Sequence, residues 1–162
     1  MDKIIDVAQY VFEEYKHIIG EAIDEMKLHK LLYFAQRESL AITNTPLFEG
    51  EFEGWKYGPV CKDIRNSITP DGMIDVHGDI SEECKYIVNN VILEYGSLAS
   101  WKLSELSQKE LSWRNARIGL HEGENGCHKL KLEDIRKDAH KVRPYDHVWD
   151  MYYDEFEDEV ME

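Results

Sequence analysis

The chain has 162 residues, 43% of them hydrophobic and 32% charged, which suits one folded domain with its own core and excludes a disordered or fibrous chain. Its formal net charge of −14 disfavours direct binding to nucleic acid, because so negative a surface repels phosphate, and it suits a basic protein partner. The apolar run around Leu31 to Ala35 is too short to span a bilayer, and the opening MDKIIDVAQYVF lacks a signal-peptide core, so a cytoplasmic location is expected.

Asp2 to Ile19 reads as a first helix: Ile4, Val7, Val11, Tyr15 and Ile18 follow the helical period, Asp2 can cap it and Gly20 stops it. Lys27 begins a second, amphipathic helix whose inner face is Leu28, Leu31, Leu32, Ala35, Ser39 and Ile42; Asn44 and Pro46 end it. Glu51 to Tyr57 is a short extended piece with Trp55 and Tyr57 on one side. Gly58-Pro59 turns the chain, with Pro59 at the first position of a new helix carrying Val60, Ile64 and Ile68. Between Thr69 and Asp79 lies a loop in which Met73 to Val76 is a candidate strand, expected to pair with residues 51–57.

Ser81 caps the next helix, whose core stripe is Cys84, Ile87, Val88, Val91, Ile92 and Tyr95, closed by Gly96. A helix to Ser107 follows, then a shorter one, Trp113 to Ile118, with Ser112 as its cap. After a Gly-rich loop from His121 to His128, a last helix runs from Glu133 to Val142 and ends at Arg143-Pro144. The expected fold is mainly α with a minor β part: a compact single-domain helical bundle with a small antiparallel β element around residues 51–57. Residues 1–145 form the domain and 146–162 an acidic, aromatic extension. That extension carries no Lys or Arg; Val148, Tyr152 and Phe156 fall at helical spacing, fit to dock on the domain or on a partner.

Little here points to catalysis. There is no GxSxG, HExxH, Walker A or GxGxxG motif, so no catalytic residue and no cofactor is expected. Cys61 beside a helix start is the best thiol nucleophile, since a helix dipole lowers a thiol's pKa, whereas Cys84 falls on a core stripe. His121, Cys127 and His128 lie close in sequence but lack the spacing of a structural metal site, so none is expected. The odd cysteine count fits reduced thiols.

The informative segment is Trp55-Lys56-Tyr57-Gly58-Pro59. Lys56 and Tyr57 alternate across the strand, so one of them must face outward, and an aromatic beside a cation at a sheet edge is a common recognition element. Trp113, expected in the core, is followed by Arg114 and Arg117 as a second such group; Lys30 and Tyr33 join the same surface from the polar face of the long helix.

The ordered set Lys30-Leu31-Leu32-Tyr33, Pro46-Leu47-Phe48, Trp55-Lys56-Tyr57-Gly58-Pro59-Val60 and Trp113 resembles the Panacea domain of SocA-like antitoxins, also seen in phage-associated GepA-like proteins. The resemblance runs from about Ile4 to about Val142. It departs at Gln108, where the family often has His, and in the acidic end after Tyr145. It implies neutralisation of a toxin by direct protein–protein contact, with no enzymatic activity. Family members meet unrelated toxins, so the resemblance names no toxin chemistry. The charge and the acidic end also fit a phage-type inhibitor that mimics nucleic acid and blocks a host nuclease or defence effector. Charge mimicry predicts that binding is lost on truncation at about Tyr145 and is sensitive to salt.

Overall fold

Gly20 and Asn44 both take the left-handed conformation, with φ of 95° and 60°, and each closes one of the two longest helices. The computed structural model describes residues 1–69, 72–73 and 78–142, and the elements below are those of the described residues. In chain order they are β1 (Asp2–Lys3), α1 (Ile4–Ile19), α2 (Glu25–Thr43), β2 (Phe48–Glu49), β3 (Phe52–Trp55), β4 (Gly58–Cys61), α3 (Lys62–Arg65), β5 (Ile68–Thr69), β6 (Gly72–Met73), α4 (Glu82–Tyr95), α5 (Ser100–Ser107), α6 (Leu111–Ala116) and α7 (Leu132–Ala139). The fold is mainly α with three two-stranded β pairs, as expected. No described helix is long and apolar enough to cross a membrane.

The second helix is more than the amphipathic surface helix its apolar spacing describes. Every residue from Lys27 to Leu40 is buried, because α1, α4, α5, α7 and β4 pack around it on all sides. Its polar residues are tolerated there only because each finds a partner. Lys27 Nζ donates to Tyr15 Oη at 3.0 Å and to the Gly96 carbonyl at 3.1 Å. Gln36 accepts from the Leu47 amide at 2.8 Å and donates to the Phe48 carbonyl at 3.1 Å, pinning the chain as it enters β2. Asp24, not Lys27, opens the helix: its carboxylate accepts from the Lys27 amide at 2.8 Å. The apolar core gathers along this axis, with Leu28, Leu31, Leu32, Phe34 and Ala35 meeting Val7, Phe48, Ile87, Ile92 and Leu103.

Several local expectations change. Asp2 does not cap α1; it lies in β1, parallel to β2, and its carboxylate receives the Ser81 amide and hydroxyl at 3.1 and 2.9 Å. Residues 52–55 pair with 58–61, not with Met73 to Val76: the extended piece folds straight back as a hairpin, Trp55 opposite Gly58 and Phe52 opposite Cys61. Met73 pairs with Ile68 instead, and residues 74–76 lie outside the described ones. Pro59 therefore sits in a strand, and the helix after it is one turn from Lys62 to Arg65. Gly58 makes this possible. Its φ of 123° is closed to side-chain-bearing residues, so the chain reverses there rather than entering a helix. Ser112 lies inside α6, which begins at Leu111 and ends at Ala116, while α7 runs Leu132–Ala139, shorter than its apolar pattern suggests. The acidic extension, 146–162, and the proposed helix through Val148, Tyr152 and Phe156 lie outside the described residues.

Candidate partner-binding surface

The β3–β4 hairpin is held on four sides. From α2, Lys30 Nζ donates to the Pro59 carbonyl at 3.2 Å. From α5, the Ser104 hydroxyl donates to the Tyr57 carbonyl, and Gln108 Nε2 donates to Ser104 Oγ at 3.2 Å. From α6, Trp113 Nε1 donates to the Trp55 carbonyl at 2.8 Å, and the guanidinium of Arg117, which follows the helix, donates to the Gly54 carbonyl at 2.9 Å. On the open strand edge, Gly54 N donates to the His128 carbonyl and Leu130 N to the Phe52 carbonyl, both at 2.8 Å. Two glycines allow the close approach: a methyl at Gly54 would press on Ala116 Cβ at 2.9 Å, and one at Gly58 would meet Lys30 Cε at 2.6 Å and the Ser107 hydroxyl. The backbone of the tip is thus fixed before any partner arrives, which lowers the ordering cost of binding.

What the clamp presents is Lys56-Tyr57. Tyr57 is 53% exposed, with the Lys56 ammonium 5.1 Å from its ring centroid. A groove opens on each side of this ridge. One, of about 330 Å³, is lined by Met26, His29, Trp55, Tyr57, Val60 and Arg65, among others. Arg65 lies 4.8 Å from the Trp55 ring and 3.8 Å from Glu25, with half its side chain in solvent. The other groove, of about 570 Å³, runs past Tyr57, Gln108, Trp113, Arg117, Leu120 and His121. An exposed aromatic ridge between two partly apolar grooves is suited to gripping another polypeptide.

Behind the first groove the chemistry is quiet. Burial, reinforced by the nearby Lys30 charge, pushes His29 down to about 4, so its ring stays neutral. Its Nδ1 accepts from the Cys61 amide at 3.2 Å, which leaves the proton on Nε2, facing Glu25 at 3.4 Å. Lys30 is 1% exposed, and burial lowers its amine to about 8 against the pull of Asp24 and Glu25. Cys61 is buried and burial raises its thiol, the reverse of the activated nucleophile expected from a helix start. Among the described residues no group of three His, Cys, Asp or Glu is placed to hold a metal ion.

Deeper still lies an ionic network joining α2, α6 and α7. The Tyr33 hydroxyl meets Ser112 Oγ at 2.8 Å and donates to Asp138 Oδ2 at 3.2 Å. Asp138 accepts the Leu111 and Ser112 amides at 2.8 and 2.9 Å; burial would raise its carboxyl, but these bonds outweigh it and hold the group below its usual range. The Arg37 guanidinium pairs with Glu110 and donates to Tyr95 Oη at 2.8 Å. Burial nonetheless pushes Glu110 up to about 7, with Asp138 adding to the rise and Arg37 opposing it. This network fixes the start of α6, and so the position of Trp113.

The segment from Leu28 to Arg114, α2 through the hairpin to α6, matches the family model "Antitoxin SocA-like, Panacea domain". This chain belongs to that family. Over 70 residues the chain is 36% identical to Antitoxin SocA of Caulobacter vibrioides (strain NA1000 / CB15N), a stretch covering 43% of this chain and 31% of that protein. The chain thus spans about a third of the length of that curated relative. No solved structure matches it.

The Panacea domain places the expected contact residues in two classes. Lys56 and Tyr57 reach the surface at the hairpin tip, and Arg114 is exposed on α6. Lys30, Tyr33, Gly58, Pro59 and Arg117 are buried. The expectation that Lys30 and Tyr33 lie on a polar outer face fails because their helix has no outer face along that stretch. Both are struts: Lys30 under the hairpin, Tyr33 against α6 and α7. Trp113 is half-buried, its indole tied to the hairpin. Met26, His29 and Arg65 line the first groove and were not among the expected residues. For Met26, His29 and Lys30 a signal existed, since i, i+3 and i+4 share one side of a helix. Arg65 gave none, because its contact with Trp55 depends on the hairpin reversing at Gly58.

Proposed function

We propose that this Panacea domain is an antitoxin-type protein that neutralises a cognate protein toxin by direct contact and without catalysis of its own. Its contact surface is the Lys56-Tyr57 ridge with the two grooves beside it. The observation that carries the reading is that the family match, residues 28–114, contains the rigid hairpin and the elements from α2, α5 and α6 that hold it. An exposed tyrosine on a fixed backbone is the kind of anchor that dominates protein–protein affinity. Inhibition needs only that the toxin's working surface be covered. Neutralisation in the cytoplasm, as one partner of an adjacent gene pair, is part of the same reading.

Co-expression with toxic neighbouring genes tests it. One of them should be tolerated only with this protein present, and the two should form a stable complex. Lys56→Ala with Tyr57→Ala should weaken that complex at least tenfold while leaving the melting temperature within about 2 °C of the parent. Failure of every neighbouring gene to be rescued refutes the antitoxin reading; full rescue and unchanged affinity in the double variant refutes the surface.

A further inference from the structure

The sheet of the hairpin continues beyond β3. From Glu124 to Lys131 the chain runs without a turn, and Lys129 lies antiparallel to Glu53. His128 and Leu130 turn their backbone groups inward, to Gly54 and Phe52. Successive residues of a strand aim their N–H and C=O groups at opposite edges, so Cys127, Lys129 and Lys131 turn theirs outward. The Lys131 carbonyl is taken by α7, where it accepts the Asp134 and Ile135 amides. The N–H and C=O of Cys127 and Lys129, and the N–H of Lys131, meet no partner among the described residues, and all three residues are exposed. We propose that this edge is a second binding site: it takes an extended segment of another protein as a fourth strand, with an apolar side chain against Ile118 and a carboxylate against Lys131.

Three physical points select this occupant. An unpaired row of alternating donors and acceptors is matched only by another extended backbone, whose main-chain bonds supply affinity while pockets beside it read alternate side chains. Such a pocket is present: a groove of about 390 Å³ opens along the edge, lined by Asn115, Ala116, Ile118, Lys131 and Asp134, among others. Ile118 is 76% exposed and offers it an apolar wall. The charges choose among strands. Lys129 is already met by Glu51 at 2.6 Å, and Asp134 accepts from Asn115 Nδ2 at 3.2 Å, which leaves the Lys131 ammonium in the lining without a carboxylate. Two lysines on one edge also keep the same edge of a second copy away and admit a strand that carries an acid. The groove shares no lining residue with the two beside Lys56-Tyr57, so the site is additional to the surface assigned to the toxin.

The test needs no toxin. A display library of random peptides, each about twelve residues long, is selected on the immobilised full chain, and the enriched peptides are titrated against the parent and its variants. They should carry an acid and alternate apolar residues. Lys129→Pro removes the outward N–H and no internal hydrogen bond, so it should weaken them about tenfold or more with Tm within about 2 °C of the parent. Lys129→Ala keeps the N–H and should bind within about threefold of the parent, whereas Lys131→Glu should bind about threefold or more weakly. N-methylation of the tightest peptide, one amide at a time, reads the pairing on the unaltered protein, whatever the proline does to its fold. Binding should be lost at every second amide. Failure to enrich any peptide, equal binding to Lys129→Pro and parent, or a methylation pattern without that alternation would overturn the proposal. So would slow hydrogen exchange at the Lys129 amide in the chain alone: a protection that grows with concentration assigns the edge to a second copy, and one independent of concentration assigns it to the chain itself.

Discussion

Replacing Lys30 by Met tests whether this lysine is a strut beneath the hairpin or a contact residue. The folded amine sits near 8 instead of 10.5 because it is buried. Its folded pKa lies below the unfolded one, so between about pH 8 and 10.5 the unfolded chain binds more protons, and stability rises with pH. Taking the unfolded value as that of free lysine, Lys30 should add about 2 kcal/mol to stability between pH 7.5 and 9.5, or roughly 4–8 °C in Tm. Lys30→Met removes the titrating group while keeping the length of the chain over Gly58. It also leaves the Pro59 carbonyl without its donor, so the variant's absolute stability at pH 7.5 is not the diagnostic. The diagnostic is the gap between parent and variant, read by urea unfolding at both pH values. Tyrosines and other titrating groups are common to both proteins and cancel. The gap should move by about 2 kcal/mol in favour of the parent at the higher pH. A gap that stays constant means that the amine is solvated, and that Lys30 is available to a partner after all.

Gly58→Ala should cost about 2–4 kcal/mol of unfolding free energy in urea, combining a φ of 123° with the collision against Lys30 and Ser107; a loss below 1 kcal/mol would show that the hairpin can shift and is not held as described. Glu110, raised to about 7, binds its proton more tightly in the folded state, so its contribution is complete below about pH 4.5 and is lost as pH rises through 7. The parent should therefore lose about 2 kcal/mol relative to Glu110→Gln between pH 5 and 8, measured by urea unfolding at the two pH values, and a constant difference would refute the raised carboxyl.

Some of this protein was fixed by local chemistry and could be read without coordinates. Gly20 and Asn44 end helices because few other residues accept a positive φ, and Ser81 caps α4 because its hydroxyl accepts the Cys84 amide only three residues on. The mainly α fold with its β element near residue 52, the core stripes of α1 and α4, and the family motif were legible for the same reason: periodicity and short-range spacing carry them. Tertiary structure decided which side of α2 counts as outside, and the answer is neither. Apolar spacing marks the face that prefers burial but cannot show that neighbours also cover the opposite face, where Lys30, Tyr33 and Arg37 survive only by pairing with residues up to 105 positions away. The hairpin was hidden likewise, since Pro59 suits a helix start as well as a strand, and the choice fell to Gly58's φ and to clamps arriving from α2, α5 and α6. Motif order named the family; packing alone separated the two residues that meet solvent at the tip, Lys56 and Tyr57, from the buried ones that hold them there.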